Sequence, residues 1–384
     1  MEKIRVALIG AGSMGKKYAQ FIAVGKVERM ELTAVVARNS ETKKWAESLM
    51  NENGVKPFIY NSVDELYENP ENYDAVIIVT PHKTHPEFAN RAFELGKHVM
   101  CDKPAGITAA QAVQMSENAE KAGLIYSVMF HQRMYDKYIR IKQILKSGEI
   151  GDLSRVMLVN SRYLRTAHYH NSAGWRSSWN GEGGGALINQ GAHILDIWQW
   201  LFGMPEKIFA DIPFGKYNDF FVDDEATIHM RYDNNMTAVF ILTTGEAVWE
   251  ERLDIIGTKG KLSLCDDELY IWKYSEDSLR YIRTAQVNSR ENLDVIQSSE
   301  HFEKTGEPYA QMLDNFAEAV LRNDKDVLVS QGKDAVNQIM LTNAAYYSAL
   351  KEQQITLPLD LDKYDEMYEK CCEYEREHLK QDCN

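Results

Sequence analysis

The feature that most constrains this chain is a run of glycines between an apolar strand pattern and a helical pattern near its start. Gly10, Gly12 and Gly15 follow the spacing G-x-G-x-x-G. In a strand–turn–helix unit the first glycine makes the tight turn, the second admits a pyrophosphate close to the backbone, and the third lets the helix pack on the strand. The run therefore predicts a dinucleotide site that includes Ser13 and Met14. The alternative is a glycine-rich turn that binds nothing.

The first 127 residues alternate between strand and helix patterns, and the strands are apolar along almost their whole length. This pattern is typical of a parallel sheet covered by helices on both faces. Ligands of such sheets bind beyond the carboxyl ends of the strands. The predicted strands are 4–9, 31–37, 57–59, 75–80, 97–101 and 124–129, and the predicted helices are 14–24, 41–51, 62–68, 85–95 and 109–121.

The turn after the second strand contains Arg38, Asn39 and Ser40. A site selective for NAD usually has an acidic residue here to bind the ribose 2′-hydroxyl, whereas this chain has Ala37. A guanidinium and a hydroxyl suit a 2′-phosphate, so these residues predict a cofactor site that accepts NADP. The alternative is that Arg38 stacks on the adenine of NAD.

The turn after the strand at 75–80 contains two prolines and two histidines. Prolines restrict the backbone, and a turn at this edge of the sheet lies beside the nicotinamide-side ribose of a bound dinucleotide. We predict that the turn lines the cofactor and that its histidines are structural or cofactor-lining rather than catalytic. The residues concerned are Thr80, Pro81, His82 and His85.

The next strand ends in Asp102 and Lys103, and Pro104 follows. A single lysine is normally a solvated surface group. At the carboxyl end of a strand, above a cofactor, it can instead donate a hydrogen bond to a substrate hydroxyl or carbonyl, and burial can lower its pKa. We therefore predict that Asp102 and Lys103 contact the cofactor and that Lys103 is a catalytic residue.

From residue 128 the pattern changes to long strands separated by hairpin turns. It predicts an α+β domain with a large, open and mostly antiparallel sheet, which can leave one face free for a partner subunit. We assign 1–127 to a doubly wound Rossmann domain, 128–358 to a substrate and oligomerisation domain, and 359–384 to a charged helical extension. The predicted elements are strands 153–164, 207–212, 225–232, 236–244, 251–256, 260–265 and 268–274, and helices 136–147, 308–322 and 331–351.

A loop rich in aromatic and cationic residues lies inside the second domain. Tyr169, Trp175 and Trp179 offer flat apolar walls, and Arg165 and Arg176 can donate hydrogen bonds to a polyhydroxyl ligand. The loop and the helix after it thus predict a substrate site. The predicted substrate-binding residues are Arg165, Tyr169, His170, Trp175, Arg176, Asn189 and His193.

Three consecutive glycines open that helix, which suggests a tight approach of its backbone. Asn189, His193 and Asp196 are spaced i, i+4 and i+7, which places them on one helix face. A lone histidine on a helix is more often a packed core residue, but the glycines, the aromatic loop and the aligned amide predict that His193 is catalytic. A metal site formed by His168, His170 and His193 is disfavoured, because H-x-H spacing is common and carboxylate support is not assured; we predict no metal.

Length and composition narrow the class of protein. A chain of 384 residues suggests two domains. The net charge of −14 argues against nucleic acid or an anionic membrane as the main partner. The sequence has no signal-peptide pattern, and no apolar segment approaches the ~18 residues that span a bilayer. The five cysteines are odd in number and lack metal spacing, which fits a reducing cytoplasm.

Five motifs occur along the chain: Gly10-Ala-Gly-Ser-Met-Gly15, Thr80-Pro81 with His85, Cys101-Asp-Lys-Pro104, His131-Gln-Arg133, and Gly183-Gly-Gly-Ala-Leu-Ile-Asn-Gln-Gly-Ala-His193. In this order, over about residues 3–350, they resemble the glucose–fructose oxidoreductase, inositol dehydrogenase and MocA family of NAD(P)-dependent oxidoreductases. The resemblance implies a Rossmann domain and an α/β domain with an open sheet, assembled as a homodimer or homotetramer through that sheet. It also implies that Lys103 and His193 serve the substrate.

Two positions depart from the family pattern. Asp102 stands where the family often has Glu, and Asn189 stands where many members that act on sugar alcohols have Asp. An amide cannot pass a proton, so Asn189 does not supply the carboxylate–histidine relay of those members. His193 is then expected to exchange its proton with solvent or with a substrate hydroxyl.

The stretch from Trp175 to His193 resembles the subgroup that acts on pyranose sugars and glycosides, including 3-dehydrogenases. This implies an enzyme that uses NAD or NADP, which can be tightly bound, to interconvert a secondary sugar hydroxyl, at C3, with its ketone. His193 is the expected general base, and Lys103 stabilises the developing alkoxide. The alternatives are an NAD-dependent glycosidase that oxidises C3 transiently, an inositol or sugar-alcohol dehydrogenase, and a non-catalytic NAD(P) sensor, which would need neither residue.

Overall fold

The structure is a computed structural model that describes residues 2–50, 54–303 and 305–379. Cys383 and the last residue of the helix predicted over 41–51 lie outside these ranges. The chain divides into two compact units. The first contains the chain up to Met134 with Gly181–Gly183 and Gly306–Met340, and the second contains Tyr135–Asn180, Gly184–Thr305 and the chain from Leu341 onward.

The first unit is built on a parallel sheet. Its strands are β1 (Ile4–Ile9), β2 (Met30–Val36), β3 (Phe58–Tyr60), β4 (Ala75–Ile78), β5 (His98–Cys101) and β6 (Tyr126–Val128). They lie in the order β3-β2-β1-β4-β5-β6, and every neighbouring pair is parallel. The direction of winding reverses between β1 and β4, which is where the ligands of doubly wound sheets bind. The predicted Rossmann sheet is confirmed.

Five helices connect these strands, as the alternating pattern predicts. Asn39 and Thr108 each form a capping box with the residue three positions later, which fixes the starts of the second and fifth helices. The helices are α1 (Ser13–Ala23), α2 (Ser40–Ser48), α3 (Val63–Tyr67), α4 (His85–Glu94) and α5 (Ala109–Lys121).

The second unit is built on a nine-stranded sheet. Its strands are β7 (Leu153–Asn160), β8 (Lys207–Asp211), β9 (Glu225–Arg231), β10 (Thr237–Thr243), β11 (Glu251–Gly257), β12 (Gly260–Cys265), β13 (Glu268–Tyr274), β14 (Val295–His301) and β15 (Ile355–Thr356). Their order is β14-β13-β12-β11-β7-β10-β9-β8-β15. All neighbours are antiparallel except β7 and β10, which are parallel. One face of the sheet carries exposed Met157 and Phe209, which agrees with the predicted open face.

The remaining helices include two that the sequence analysis did not predict, the short α7 (Ala167–His170) and α10 (Ser278–Thr284). Among the described residues, none of the helices has the length and apolar character needed to cross a membrane. A long helix, α13 (Leu361–Leu379), lies within the charged C-terminal segment. These helices are α6 (Asp136–Ser147), α7 (Ala167–His170), α8 (Ala186–Asn189), α9 (Gly191–Phe202), α10 (Ser278–Thr284), α11 (Pro308–Arg322), α12 (Gly332–Lys351) and α13 (Leu361–Leu379).

The division into units differs from the predicted boundary at residue 127, because α11 and the first part of α12 belong to the first unit. Leu313 and Phe316 of α11 are fully buried in the same core as β1. Arg29, at the end of the loop before β2, pairs with Asp314 of α11. These contacts join residues almost 300 positions apart, so local sequence patterns do not reveal them.

Candidate functional site

The glycine turn after β1 has the geometry that a dinucleotide needs. Gly10 has a φ of +109°, and a Cβ atom there would lie 2.3 Å from the carbonyl oxygen of Val79. A Cβ atom on Gly15 would lie 1.9 Å from the carbonyl oxygen of Gly10. A Cβ atom on Gly12 would meet none of the described atoms within 4 Å. Protein packing therefore requires the first and third glycines, whereas the second leaves open space for a ligand.

Helix α1 begins directly at this turn, with Gly12 as its N-cap. In α1, every residue of which is described, no side chain caps the first turn and no carboxylate lies in it. The first N–H groups of a helix have no acceptor within the helix, and the helix dipole favours an anion there. The residues present therefore fit the diphosphate of a dinucleotide.

In the turn after β2, one of the predicted cofactor residues caps a helix and the other two are exposed. The Asn39 side chain caps α2 by accepting a hydrogen bond of 2.8 Å from the backbone N–H of Thr42. Arg38 and Ser40 are exposed beside it. Of the three predicted cofactor residues in this turn, Arg38 and Ser40 thus present the guanidinium and the hydroxyl, whereas the Asn39 side chain serves the helix.

Hydrogen bonds tie the turns at the carboxyl ends of the strands to one another. His85 is fully buried, and its two ring nitrogens lie 2.8 Å from the carbonyl oxygen of Pro104 and 2.7 Å from that of Thr80. Burial lowers the pKa of His85, while the two carbonyls and Asp102 oppose that shift. The Tyr18 hydroxyl of α1 donates to Asp102 at 3.3 Å. The His85 ring therefore links the turn after β4 to the segment after β5.

Lys103 follows β5 in the segment that His85 anchors. Its backbone N–H donates to the carboxylate of Asp102 at 2.8 Å, its side chain is half-buried, and its peptide bond to Pro104 is cis. Burial raises the pKa of Asp102, and the positive charge of Lys103 opposes the shift. His82, predicted with this group, is buried and lies 3.0 Å from the carbonyl oxygen of Glu182, so it too supports the backbone.

In the second unit the structure brings most of the predicted substrate residues together around Tyr169. Its hydroxyl accepts hydrogen bonds from Arg176 at 2.8 Å, Gln190 at 3.0 Å and Asn189 at 3.2 Å. The guanidinium carbons of Arg165 and Arg176 lie 4.1 and 4.6 Å from the ring centroid, within cation–π range. Gln190 was not among the predicted residues, although it stands next to Asn189 in the motif.

His193 lies one helical turn after Asn189 and is half-buried. The helix is not continuous, since α8 ends at Asn189 and α9 begins after Gln190. Asp196 does not share the exposed part of this face: it is fully buried and accepts a hydrogen bond of 3.0 Å from Gln199. The expected aligned face therefore reduces to Asn189 and His193.

His170 and Trp175 complete the loop. The Nδ1 atom of His170 is hydrogen-bonded to the Ser177 hydroxyl, and its ring packs 5.0 Å from that of Phe220. Burial lowers the pKa of His170, and the nearby guanidinium groups act in the same direction. Trp175 is half-buried, with the Arg176 guanidinium 4.6 Å from its ring. No group of three His, Cys, Asp or Glu side chains among the described residues is arranged to hold a metal.

The expectation that Trp179 forms a substrate wall is wrong. Trp179 is 3% exposed, and its indole N–H donates to the carbonyl oxygen of Phe221 at 2.8 Å. Its ring packs edge-on against Tyr346 at 5.1 Å. Trp179 is therefore a core residue whose surroundings come from segments far along the chain.

The three glycines before α8 approach protein atoms. A Cβ atom on Gly184 would lie 2.4 Å from the Tyr346 hydroxyl, and one on Gly185 would lie 1.9 Å from the carbonyl oxygen of Asp223. In the first unit, one on Gly183 would lie 2.4 Å from Ile107. The tight backbone approach is thus present. Asp223 and Tyr346, which sequence reasoning missed, explain it for Gly184 and Gly185.

Comparisons with known proteins agree with this fold. Residues 4–130 match the oxidoreductase family with an NAD-binding Rossmann fold, and residues 138–263 match the GFO/IDH/MocA C-terminal domain. The chain is 26% identical to trans-1,2-dihydrobenzene-1,2-diol dehydrogenase from Bos taurus, over 68% of this chain and 74% of the relative. It is 30% identical to D-glucoside 3-dehydrogenase from Escherichia coli (strain K12), over 53% of this chain and 55% of the relative.

A solved structure supports the same architecture. The WlbA dehydrogenase from Bordetella pertussis, crystallised in complex with NADH and UDP-GlcNAcA, has a TM-score of 0.75 and 23% identity, covering 94% of this chain and 100% of that one. At this identity the likeness concerns the fold. Both family models and the glycine-turn geometry agree, and the chain belongs to the GFO/IDH/MocA family of NAD-binding oxidoreductases.

Proposed function

We propose that the protein is an NAD(P)-dependent dehydrogenase that interconverts a secondary hydroxyl of a pyranose sugar or glycoside, at C3, with its ketone. The observation that carries the proposal is the polar cluster around Tyr169, whose hydroxyl accepts hydrogen bonds from Arg176, Asn189 and Gln190. In this cluster, Asn189 lies one helical turn before His193. Such a cluster of donors around an aromatic ring suits a polyhydroxyl ring. The resemblance to D-glucoside 3-dehydrogenase supports the same substrate class.

In the proposed reaction His193 takes the proton of the substrate hydroxyl as general base, a role that histidine fills more often than any other side chain. Lys103 donates a hydrogen bond to the same oxygen and stabilises its developing negative charge. Arg165, Tyr169 and Asn189 orient the sugar. In the reverse direction His193 returns the proton to the oxygen.

The cofactor supplies hydride-transfer chemistry when it is bound. The glycine turn and the first turn of α1 hold its diphosphate, and Thr80 and Pro81 line the nicotinamide side. Arg38 and Ser40 bind the adenosine ribose, with or without a 2′-phosphate. The proposal also includes a cytoplasmic location and a homodimer or homotetramer that forms through the open face of the second sheet.

The test is an absorbance assay near ~340 nm, the band of reduced nicotinamide, with a panel of pyranosides and either NAD or NADP. NMR of the product identifies the oxidised carbon. We expect His193→Ala and Lys103→Ala each to lose roughly 100-fold or more in kcat while both variants retain cofactor binding. His168→Ala and Lys44→Ala, at exposed positions, are the matched controls.

Three results would contradict separate parts of the proposal. Full activity in His193→Ala or Lys103→Ala removes that residue from the chemistry. A ketone at another carbon removes the C3 assignment. Cofactor binding without oxidation of any sugar, or reduction of any keto sugar, contradicts the function itself.

A further inference from the structure

The C-terminal helix α13 is hydrogen-bonded to the end of the substrate loop, by which we mean residues 165–180. Glu375 is 2% exposed, and its Oε1 and Oε2 atoms accept hydrogen bonds from the backbone N–H groups of Trp179 at 2.8 Å and Asn180 at 2.9 Å. The Asn180 side chain donates to Oε2 at 2.8 Å and to the Cys372 carbonyl at 2.9 Å. The Tyr368 hydroxyl donates to the Trp179 carbonyl at 2.7 Å.

These contacts determine where the Trp179–Asn180 turn lies. A buried carboxylate is costly unless it is hydrogen-bonded, and here three N–H donors satisfy that of Glu375. Buried backbone N–H groups need an acceptor as much as the carboxylate needs donors. The turn and the helix therefore stabilise each other, and neither can move alone without leaving buried polar groups unsatisfied.

The Trp179–Asn180 turn comes shortly after two residues that hold the polar cluster around Tyr169 in place. Arg176 donates to the Tyr169 hydroxyl, and Ser177 is hydrogen-bonded to His170. Ser177 has a φ of +51°, in the left-handed region that a serine adopts only when its surroundings hold it there. Displacing the turn would release Ser177 and move Arg176, and with it the ring of Tyr169.

Helix α13 also borders a cavity beside the substrate loop. A cavity of about 320 Å³ is lined by Glu375 and Leu379 of α13 and, from the loop and its neighbours, by His170, Arg176, Ser177 and Phe220. Helix α13 therefore meets the substrate loop at its backbone and also borders the cavity that the loop lines.

We infer that Glu375 is a positioning residue. It holds the substrate loop in place through the Trp179–Asn180 turn, and it thereby makes the C-terminal helix part of the substrate-binding region of the second unit. The inference rests on the proposed function for the identity of the substrate. It predicts that α13 governs the binding of the sugar and does not govern the binding of the dinucleotide.

The test compares Glu375→Gln with Glu377→Gln, a control on the same helix whose side chain is exposed. The amide keeps the size of the side chain but turns one acceptor into a donor that faces other donors. We expect KM for the sugar to rise roughly 10- to 100-fold, with a smaller change in kcat and an unchanged NADH Kd. Hydrogen exchange at 176–180 becomes faster, whereas exchange at 10–15 stays as in the wild type.

Tyr368→Phe is a second, milder variant that removes only the hydroxyl on the Trp179 carbonyl, and it decides the matter if Glu375→Gln does not fold. KM and loop exchange that match the Glu377→Gln control would overturn the inference. Hydrogen exchange needs no substrate. If the wild type oxidises no sugar, the proposed function fails while faster exchange confined to the loop still upholds the positioning role, and unchanged exchange removes it.

Discussion

The carboxylate of Asp223 accepts a hydrogen bond of 2.6 Å from the hydroxyl of Tyr346. The same carboxylate accepts the backbone N–H groups of Gly185 at 2.8 Å and Leu187 at 2.7 Å. It thereby satisfies the N–H groups at the start of α8, the short helix that leads into His193. A buried carboxylate 38 residues from Gly185 in sequence therefore sets where α8 begins, and α9, which carries His193, follows α8.

Asp223→Asn tests this role. One oxygen becomes an NH₂ group that faces other donors, so we expect the free energy of unfolding to fall by about 1–3 kcal/mol. Chemical denaturation measures the change, and Asp233→Asn, at an exposed position, is the control. An Asp223→Asn protein as stable as this control would show that the hydrogen bonds do not support the fold.

Glycine substitutions separate cofactor binding from folding. Gly12→Ala places a methyl group in open space, so the fold remains while the affinity for NADH falls, by roughly tenfold or more if the methyl displaces the diphosphate. Gly15→Ala places a methyl group 1.9 Å from a carbonyl oxygen, so it lowers the melting temperature instead. Fluorescence titration and thermal denaturation distinguish the two. A Gly12→Ala protein that binds NADH like the wild type would contradict the proposed diphosphate position.

The sequence predicted the strands of both sheets where local patterns determine them. Apolar runs bounded by turns located β1 to β6, and hairpin turns located β9 to β13. It did not predict β14, whose residues are largely exposed and lack an apolar alternation, or β15, which is only two residues long. An edge strand is defined by its pairing with a neighbour, and that pairing lies outside any local window.

The sequence predicted which residues belong to the site better than it predicted what those residues contact. Arg176, Tyr169 and Asn189 do meet, and their shared loop and helix made that expectation reasonable. Trp179 was misassigned because its burial depends on Tyr346 and on α13, both more than 150 residues away. A residue type shows what a side chain can do, whereas long-range packing decides whether it faces ligand or core.

Arg38→Ala tests cofactor selection. Arg38 is exposed at the turn before α2, and its guanidinium is the group that we propose binds a 2′-phosphate. We expect the substitution to lower the affinity for NADPH by roughly tenfold or more and to change that for NADH much less. Fluorescence titration with both nucleotides measures this, with Arg38→Lys as the variant that keeps the charge. An equal loss for both nucleotides would point to stacking on the adenine.

The surroundings of His98 predict that protonation of this side chain at low pH lowers the stability of the folded protein. Its Nδ1 atom accepts a hydrogen bond of 2.9 Å from the backbone N–H of Ile125, so the ring must be neutral there. Burial lowers the pKa of His98 from its ordinary 6.5, and Lys97 acts in the same direction while Asp74 opposes it. Below 6.5 the unfolded chain binds a proton that the folded protein does not, so this part of the stability is lost as pH falls through the lower folded pKa.

The measurement is the melting temperature between about pH 5 and 8, the range in which histidine titrates, for the wild type and for His98→Asn. The asparagine oxygen can still accept the Ile125 N–H, but it does not titrate. We expect the wild type to lose more stability than the variant on acidification, and the difference between the two profiles isolates His98 from the protein's other histidines. Parallel profiles would mean that His98 is protonated alike in the folded and unfolded states. That result would contradict the prediction and the hydrogen bond from Ile125 on which it rests.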